Sequence, residues 1–142
     1  MTQFLDTSIL VPVFLAEHPH HAASMRLFLQ CRREDDFCAA HSLAELYSTL
    51  TRLPLSHRAT AQQAGLFLDS VCARLTPVHL DSGEYRSALQ EAAAGDIVGG
   101  AVYDFLISCC ARKVKASSLY TWNLRHYSRF GAELSAITQA PA

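Results

Sequence analysis

Residues 3–10, Gln3-Phe4-Leu5-Asp6-Thr7-Ser8-Ile9-Leu10, set one acid inside an otherwise apolar run. Gln3 to Leu5 has the make-up of a short strand, and after Asp6 the apolar residues resume near Ile9 and continue towards Ala16 as a short helix. A strand that passes directly into a helix is the repeating step of an α/β domain. The same alternation recurs downstream. A helix is predicted near His21 to Arg33, then a strand over Phe37 to Ala40 ending at His41. The stretch SLAELYSTLTR that follows spaces Leu43, Leu46, Tyr47 and Leu50 at helical period before Pro54. Ser56 is the expected cap of the next helix, which carries Ala64, Phe67, Leu68, Val71 and Leu75. Val78 to Leu80 is a third strand, and Asp81 with Glu84 forms a capping-box start to another helix. A long apolar helix is expected over Ile97 to Val114, with Gly99 and Gly100 near its start. Strands at Ser118 to Thr121 and, more briefly, Leu134 to Thr138 complete the pattern. Strands alternating with helices predict an α/β domain with a largely parallel sheet, whose ligands gather at the carboxyl ends of the strands.

The 142 residues are half hydrophobic, enough for one core, so a single domain over 1–142 is expected. No apolar stretch approaches the roughly 20 residues of a membrane span, and the N-terminus lacks a basic region followed by a long apolar core. A cytoplasmic protein is expected. Cys31, Cys38, Cys72, Cys109 and Cys110 are odd in number and lack a CxxC spacing, which fits free thiols in a reducing compartment and argues against structural zinc. The net charge of -1 excludes bulk attraction to nucleic acid, but the distribution is uneven. No acid lies between Asp104 and Glu133, whereas Arg112, Lys113, Lys115, Arg125 and Arg129 do. That segment is either a solvated helix end with its loop or a phosphate-contacting face.

Three carboxylates stand in apolar surroundings: Asp6, Glu45 and Asp104. Burying an unpaired charge is expensive, so each requires a structural partner or a cation. Asp6 alone reads as a helix cap. Ser42 to Glu45 has the spacing of a capping box. Asp104, placed mid-helix beside Phe105, Leu106 and Ile107, has no such local explanation and calls for an arginine or a metal. Residues directly after parallel strands share one edge of the sheet. If Asp104 faces that edge, the three repelling carboxylates suit Mg²⁺ or Mn²⁺. Gly100, four residues before Asp104, either admits a polymer backbone or packs against a helix.

Four segments in this order and spacing, FLDTSIL, SLAELYSTLTRLP, GGAVYDFLISCCARKVKA and LYTWNLRHYSRF, cover essentially the whole chain. Together they resemble the PIN-domain ribonucleases, specifically VapC-type toxins of bacterial toxin-antitoxin pairs. The resemblance implies a PIN-like three-layer α/β/α fold with a parallel five-stranded sheet. It also implies an endoribonuclease that cleaves RNA phosphodiester bonds with Mg²⁺ or Mn²⁺, a cognate antitoxin, and a homodimer. The family's acidic motifs fall on Asp6, Glu45 and Asp104. One departure stands out: where relatives often carry Thr-x-Asp, this chain has Thr121-Trp122-Asn123. Asn123 can offer a carbonyl oxygen but no charge, so one metal is expected rather than two.

The expected site therefore has Asp6, Glu45 and Asp104 on the metal, with Thr121 and Asn123 supporting from behind. Arg112, Arg125, His126 and Arg129 are expected to meet the RNA. Trp122 either stacks on a base or packs in the core, and His18, His20 and His21 form an exposed turn without a metal. The helices from Leu43 to Leu75 offer apolar surface to a dimer mate or antitoxin. The competing reading is a non-catalytic PIN-like module that binds RNA or a partner. A phosphatase would want a second aspartate where Ser8 stands, and a receiver domain an acidic pair near Asp6; neither is present.

Overall fold

The computed structural model describes all residues, 1–142. Five strands, β1 (Gln3–Leu5), β2 (Phe37–Ala39), β3 (Thr76–Val78), β4 (Ser118–Tyr120) and β5 (Thr138–Gln139), form one sheet in the order β3-β2-β1-β4-β5. Every pairing is parallel. Around it lie α1 (Thr7–Val13), α2 (His21–Gln30), α3 (Ala40–Thr51), α4 (Ala61–Arg74), α5 (Ser82–Ala94), α6 (Ala101–Lys113), α7 (Leu124–Tyr127) and α8 (Ala132–Ser135). This is the expected three-layer arrangement. Alternation along each strand builds it, because successive side chains point to opposite faces. Leu5 and Cys38 join a core with Ile9, Leu10, Leu46, Leu50, Val71 and Leu75 from α1, α3, α4 and the turn into β3. Their neighbours Phe4 and Ala39, with Leu119, face a second core built with Ala88, Phe105, Ile107, Tyr127 and Leu134. No helix is long and apolar enough to cross a membrane.

Several boundaries differ from the sequence reading, each for a local reason. The third strand begins at Thr76 and includes Pro77, two residues earlier than expected. β3 is an edge strand, paired only with β2, where a missing N–H is tolerated. The expected fifth strand starts too early: Leu134 belongs to α8, and only Thr138–Gln139 pair with β4. Helix α6 begins at Ala101, because Gly99 takes a positive φ of 61° that turns the chain before the helix can start. Asp104 therefore sits in the first turn of α6, not mid-helix. Helix α3 starts at Ala40 directly after β2, which removes Ser42 and Glu45 from the cap position and frees both side chains.

A second buried acid besides Asp6, Asp36, ties the opposite edge of the sheet by accepting from the Gln3 and Arg32 backbone N–H groups at 3.1 and 2.7 Å. Its role is structural. The cap of α4 is Thr60, not Ser56: Thr60 Oγ1 accepts from Gln63 N at 3.1 Å and Gln63 Oε1 from Thr60 N at 2.9 Å. Thr60→Ala should therefore lower the unfolding free energy by about 1 kcal/mol. Ser56→Ala should stay within about 0.5 kcal/mol; urea denaturation of both variants checks the assignment.

Candidate active site

Asp6 leaves the carboxyl end of β1, the central strand, and is 2% exposed. Its backbone N–H still belongs to the sheet, donating to Tyr120 O at 3.0 Å, so the side chain is fixed at its root. Oδ2 accepts the Ser8 hydroxyl at 2.8 Å, the Thr121 hydroxyl at 2.8 Å and, more weakly, the Ser8 N–H at 3.4 Å. Oδ1 accepts the Tyr127 hydroxyl at 2.8 Å. The cap expected of Asp6 is present, and it is a minor part of what holds this carboxylate. Hydroxyls from α1, the end of β4 and α7 converge on it. They are themselves held: Trp122 N donates to Ser8 Oγ at 2.9 Å, and Asn123 N to Thr121 Oγ1 at 2.9 Å.

Glu45 comes from the second turn of α3. Thr7 Oγ1 donates to its Oε1 at 2.8 Å and lies 2.7 Å from Ser42 Oγ, so the residue after Asp6 orients the second acid. Asp104 arrives from the first turn of α6 and is paired with His126 Nδ1, 3.1 Å from its Oδ2. Burial, then the negative charge of Asp6, raise the Asp104 pKa, with His126 opposing and Glu45 adding to the rise. Burial also raises Tyr127 well above the usual phenol range, and Asp6 and Asp104 push it further. Tyr127 thus stays a proton donor. Thr7, next to Asp6, holds Glu45, and His126, next to Tyr127, holds Asp104, so all three acids lie at the carboxyl edge of the sheet.

The other expected site residues divide. Asn123 is exposed, and its side chain does not cap α7. Arg125 and Arg129 are exposed on the acid-free segment without a carboxylate partner. Thr121 is fully buried, so it acts on Asp6 and cannot reach RNA. His126 is expected at the RNA backbone but is turned to Asp104. Arg112 lies two turns along α6 from Asp104, and Glu91 takes its guanidinium at 3.1 and 2.6 Å; it has no place beside the acids. Trp122 stacks on His20, with ring centroids 3.8 Å apart, and donates from Nε1 to Ser24 Oγ at 2.8 Å, which fixes it against α2. The histidine turn is internally bonded, His20 N donating to His18 Nδ1 at 3.0 Å, and is tied to α1 with His21 Nδ1 2.7 Å from Pro12 O. A Cβ at Gly100 would meet nothing within 4 Å, so close helix packing does not explain that glycine.

No three His, Cys, Asp or Glu side chains are gathered closely enough to enclose a metal by themselves. The donor set is nevertheless all hard oxygen and in mutual repulsion. It fits an ion that takes one or two carboxylates and keeps several waters, the habit of Mg²⁺, better than one needing a closed protein cage. Sequence reasoning missed Thr7, Ser8, Ser42 and Tyr127. The one available signal was Tyr127 and Phe130, two aromatics at helical spacing amid polar residues; their rings meet edge to face at 5.4 Å.

A family model described as the PIN domain matches residues 4–130. Ribonuclease VapC40 of Mycobacterium tuberculosis is 33% identical over 136 residues, covering 94% of this chain and 97% of that protein. Ribonuclease VapC27 of the same organism is 36% identical over 112 residues, covering 79% and 78%. Among solved structures, Mycobacterium tuberculosis VapC20, described as a Sarcin-Ricin loop cleaving toxin, is similar with a TM-score of 0.70 at 15% identity, covering 89% of this chain and 94% of that one. VapBC-1 from nontypeable Haemophilus influenzae gives 0.66 at 18% identity over 99% and 98%. At those identities the structural likeness speaks for the fold alone.

Tyr127→Phe keeps the ring in place and withdraws the only hydroxyl on Asp6 Oδ1. Measured in EDTA, its unfolding free energy should fall by about 1–3 kcal/mol, the cost of leaving a buried acceptor without its donor; an unchanged value would mean that Oδ1 is solvated.

Proposed function

The chain belongs to the PIN-domain family, and from that premise we propose that it is a Mg²⁺- or Mn²⁺-dependent endoribonuclease, the toxin of a type II toxin-antitoxin pair. The observation that carries this reading is the convergence of Asp6, Glu45 and Asp104 at the carboxyl edge of the sheet, where burial and then the Asp6 charge keep the Asp104 pKa raised. The VapC relatives named as ribonucleases support the substrate class. One or two of Asp6, Glu45 and Asp104 would hold the cation directly and the rest through its retained waters; when bound it would activate water and offset charge on the scissile phosphate.

The chain's own groups prepare that chemistry. The Tyr127, Ser8 and Thr121 hydroxyls hold Asp6 rigidly, which removes the cost of ordering it during reaction. Thr7 sets the direction of Glu45. His126 orients Asp104 and lies on its exposed side. Arg125 and Arg129, free of intramolecular partners, draw in the phosphates on either side of the cut. Asn123, exposed beside them, supplies an uncharged oxygen or amide to water or phosphate.

A cognate antitoxin and a second copy of the chain are the proposed protein partners. Exposed Tyr47 on α3, Leu55 in the turn and Leu66 on α4 give apolar surface suited to either. Solved structures of similar fold described as VapBC2 from Rickettsia felis and VapBC-1 from nontypeable Haemophilus influenzae are in keeping with an antitoxin.

Cleavage of end-labelled RNA by the purified chain in Mg²⁺ tests the reading. Asp104→Asn and Glu45→Gln should each reduce cleavage to background while circular dichroism stays unchanged. Full activity in Asp104→Asn would overturn the assignment; a wild type that binds RNA without cutting it in either cation would favour the non-catalytic module.

A further inference from the structure

One face of α3 runs outward from the acidic site, starting beside Glu45. His41, Glu45, Ser48 and Arg52 recur at helical spacing along it, and with Ala44 and Thr49 they line a surface groove of about 320 Å³. At the inner end, the His41 ring lies parallel to that of Tyr103, with planes 10° apart and centroids 5.7 Å apart. Tyr103 precedes Asp104 in the first turn of α6 and is 52% exposed. The two rings thus bridge α3 and α6 beside two of the three acids. At the outer end stands Arg52, exposed and without a carboxylate within 4.0 Å.

An offset pair of flat rings facing water presents a stacking platform, and any nucleobase offers a π face to it. Arg52 adds a fork of donors matched to phosphate. The groove falls within the roughly 300–1,000 Å³ of small-ligand sites, and its polar lining of hydroxyls does not suit an apolar helix. Bases inside a duplex have no free face, so the occupant is single-stranded.

We propose that this groove is a nucleotide subsite flanking the point of cleavage: an unpaired base of the RNA stacks on the His41–Tyr103 pair, and Arg52 holds a phosphate farther along the same strand. The inference rests on the nuclease reading for the direction of the strand but not for the binding itself. It makes His41 and Tyr103 specificity-determining residues, distinct from the carboxylates.

Two measurements on the full chain separate the claims. A randomised single-stranded RNA pool is digested in Mg²⁺ and the new ends sequenced; the same pool, fluorescently labelled, is titrated in EDTA by anisotropy. The wild type should show a base preference at a position beside the cut. Tyr103→Ala should flatten that preference and weaken binding about tenfold, the scale of one lost base–aromatic stack. Tyr103→Phe should retain both, and Arg52→Gln should weaken binding without changing the preference. Wild-type preference and affinity in Tyr103→Ala would overturn the subsite while leaving the nuclease intact. The same result accompanied by a changed dimer or antitoxin affinity would assign the groove to a protein partner instead. If the wild type cuts nothing, ring-dependent binding in EDTA upholds the groove and the nuclease reading alone fails; ring-independent binding, or none, overturns the groove as well.

Discussion

A carboxylate buried at the end of the central strand governs this molecule. Removing the Asp6 charge from water costs several kcal/mol unless it is met by donors, and the chain meets it with three hydroxyls and a backbone N–H. Those donors come from the turn after β1, the end of β4 and the short helix α7, pieces separated by more than a hundred residues. Satisfying Asp6 therefore requires the sheet to be closed between β1 and β4 and the C-terminal segment to be folded back over it. The site is assembled by the same contacts that complete the fold.

The three acids are held unequally, and the inequality has chemical meaning. Asp6 is locked on both oxygens, Glu45 has one hydroxyl, and Asp104 has one imidazole at its exposed side. The rigid member sets the position of the site, while the other two retain oxygen lone pairs. A cation entering there would offset the burial and the Asp6 charge that together raise Asp104. The exposed Arg125 and Arg129 lie on the segment that also supplies Tyr127, so the unpaired positive charge and the deepest support of Asp6 travel on one stretch of chain.

Much of this was legible in the sequence because it rests on local pattern. The parallel α/β fold followed from strand and helix alternation, and the three acids from charge in apolar surroundings. What the sequence hid was tertiary. Ser42 and Glu45 have capping-box spacing, yet α3 is capped three residues earlier, at Ala39 straight from β2, and both side chains turn to Thr7. Pro77 reads as a helix stop, but an edge strand accepts it. Arg112 and His126 look alike as basic residues near a site, and only the packing of α5 and α7 against α6 assigns one to Glu91 and the other to Asp104. Tyr127 could not be singled out, since its value lies in a hydroxyl aimed at a residue 121 positions away.

Asp6, Glu45 and Asp104 are proposed to form a repelling oxygen set that a divalent cation relieves. Thermal unfolding of the EDTA-stripped chain, titrated with Mn²⁺, tests it most directly. The melting temperature should rise and saturate with Mn²⁺, and Asp104→Asn should melt at or above the metal-free wild type while losing most of that rise. No saturable rise in the wild type, or an equal rise in Asp104→Asn, would contradict the claim.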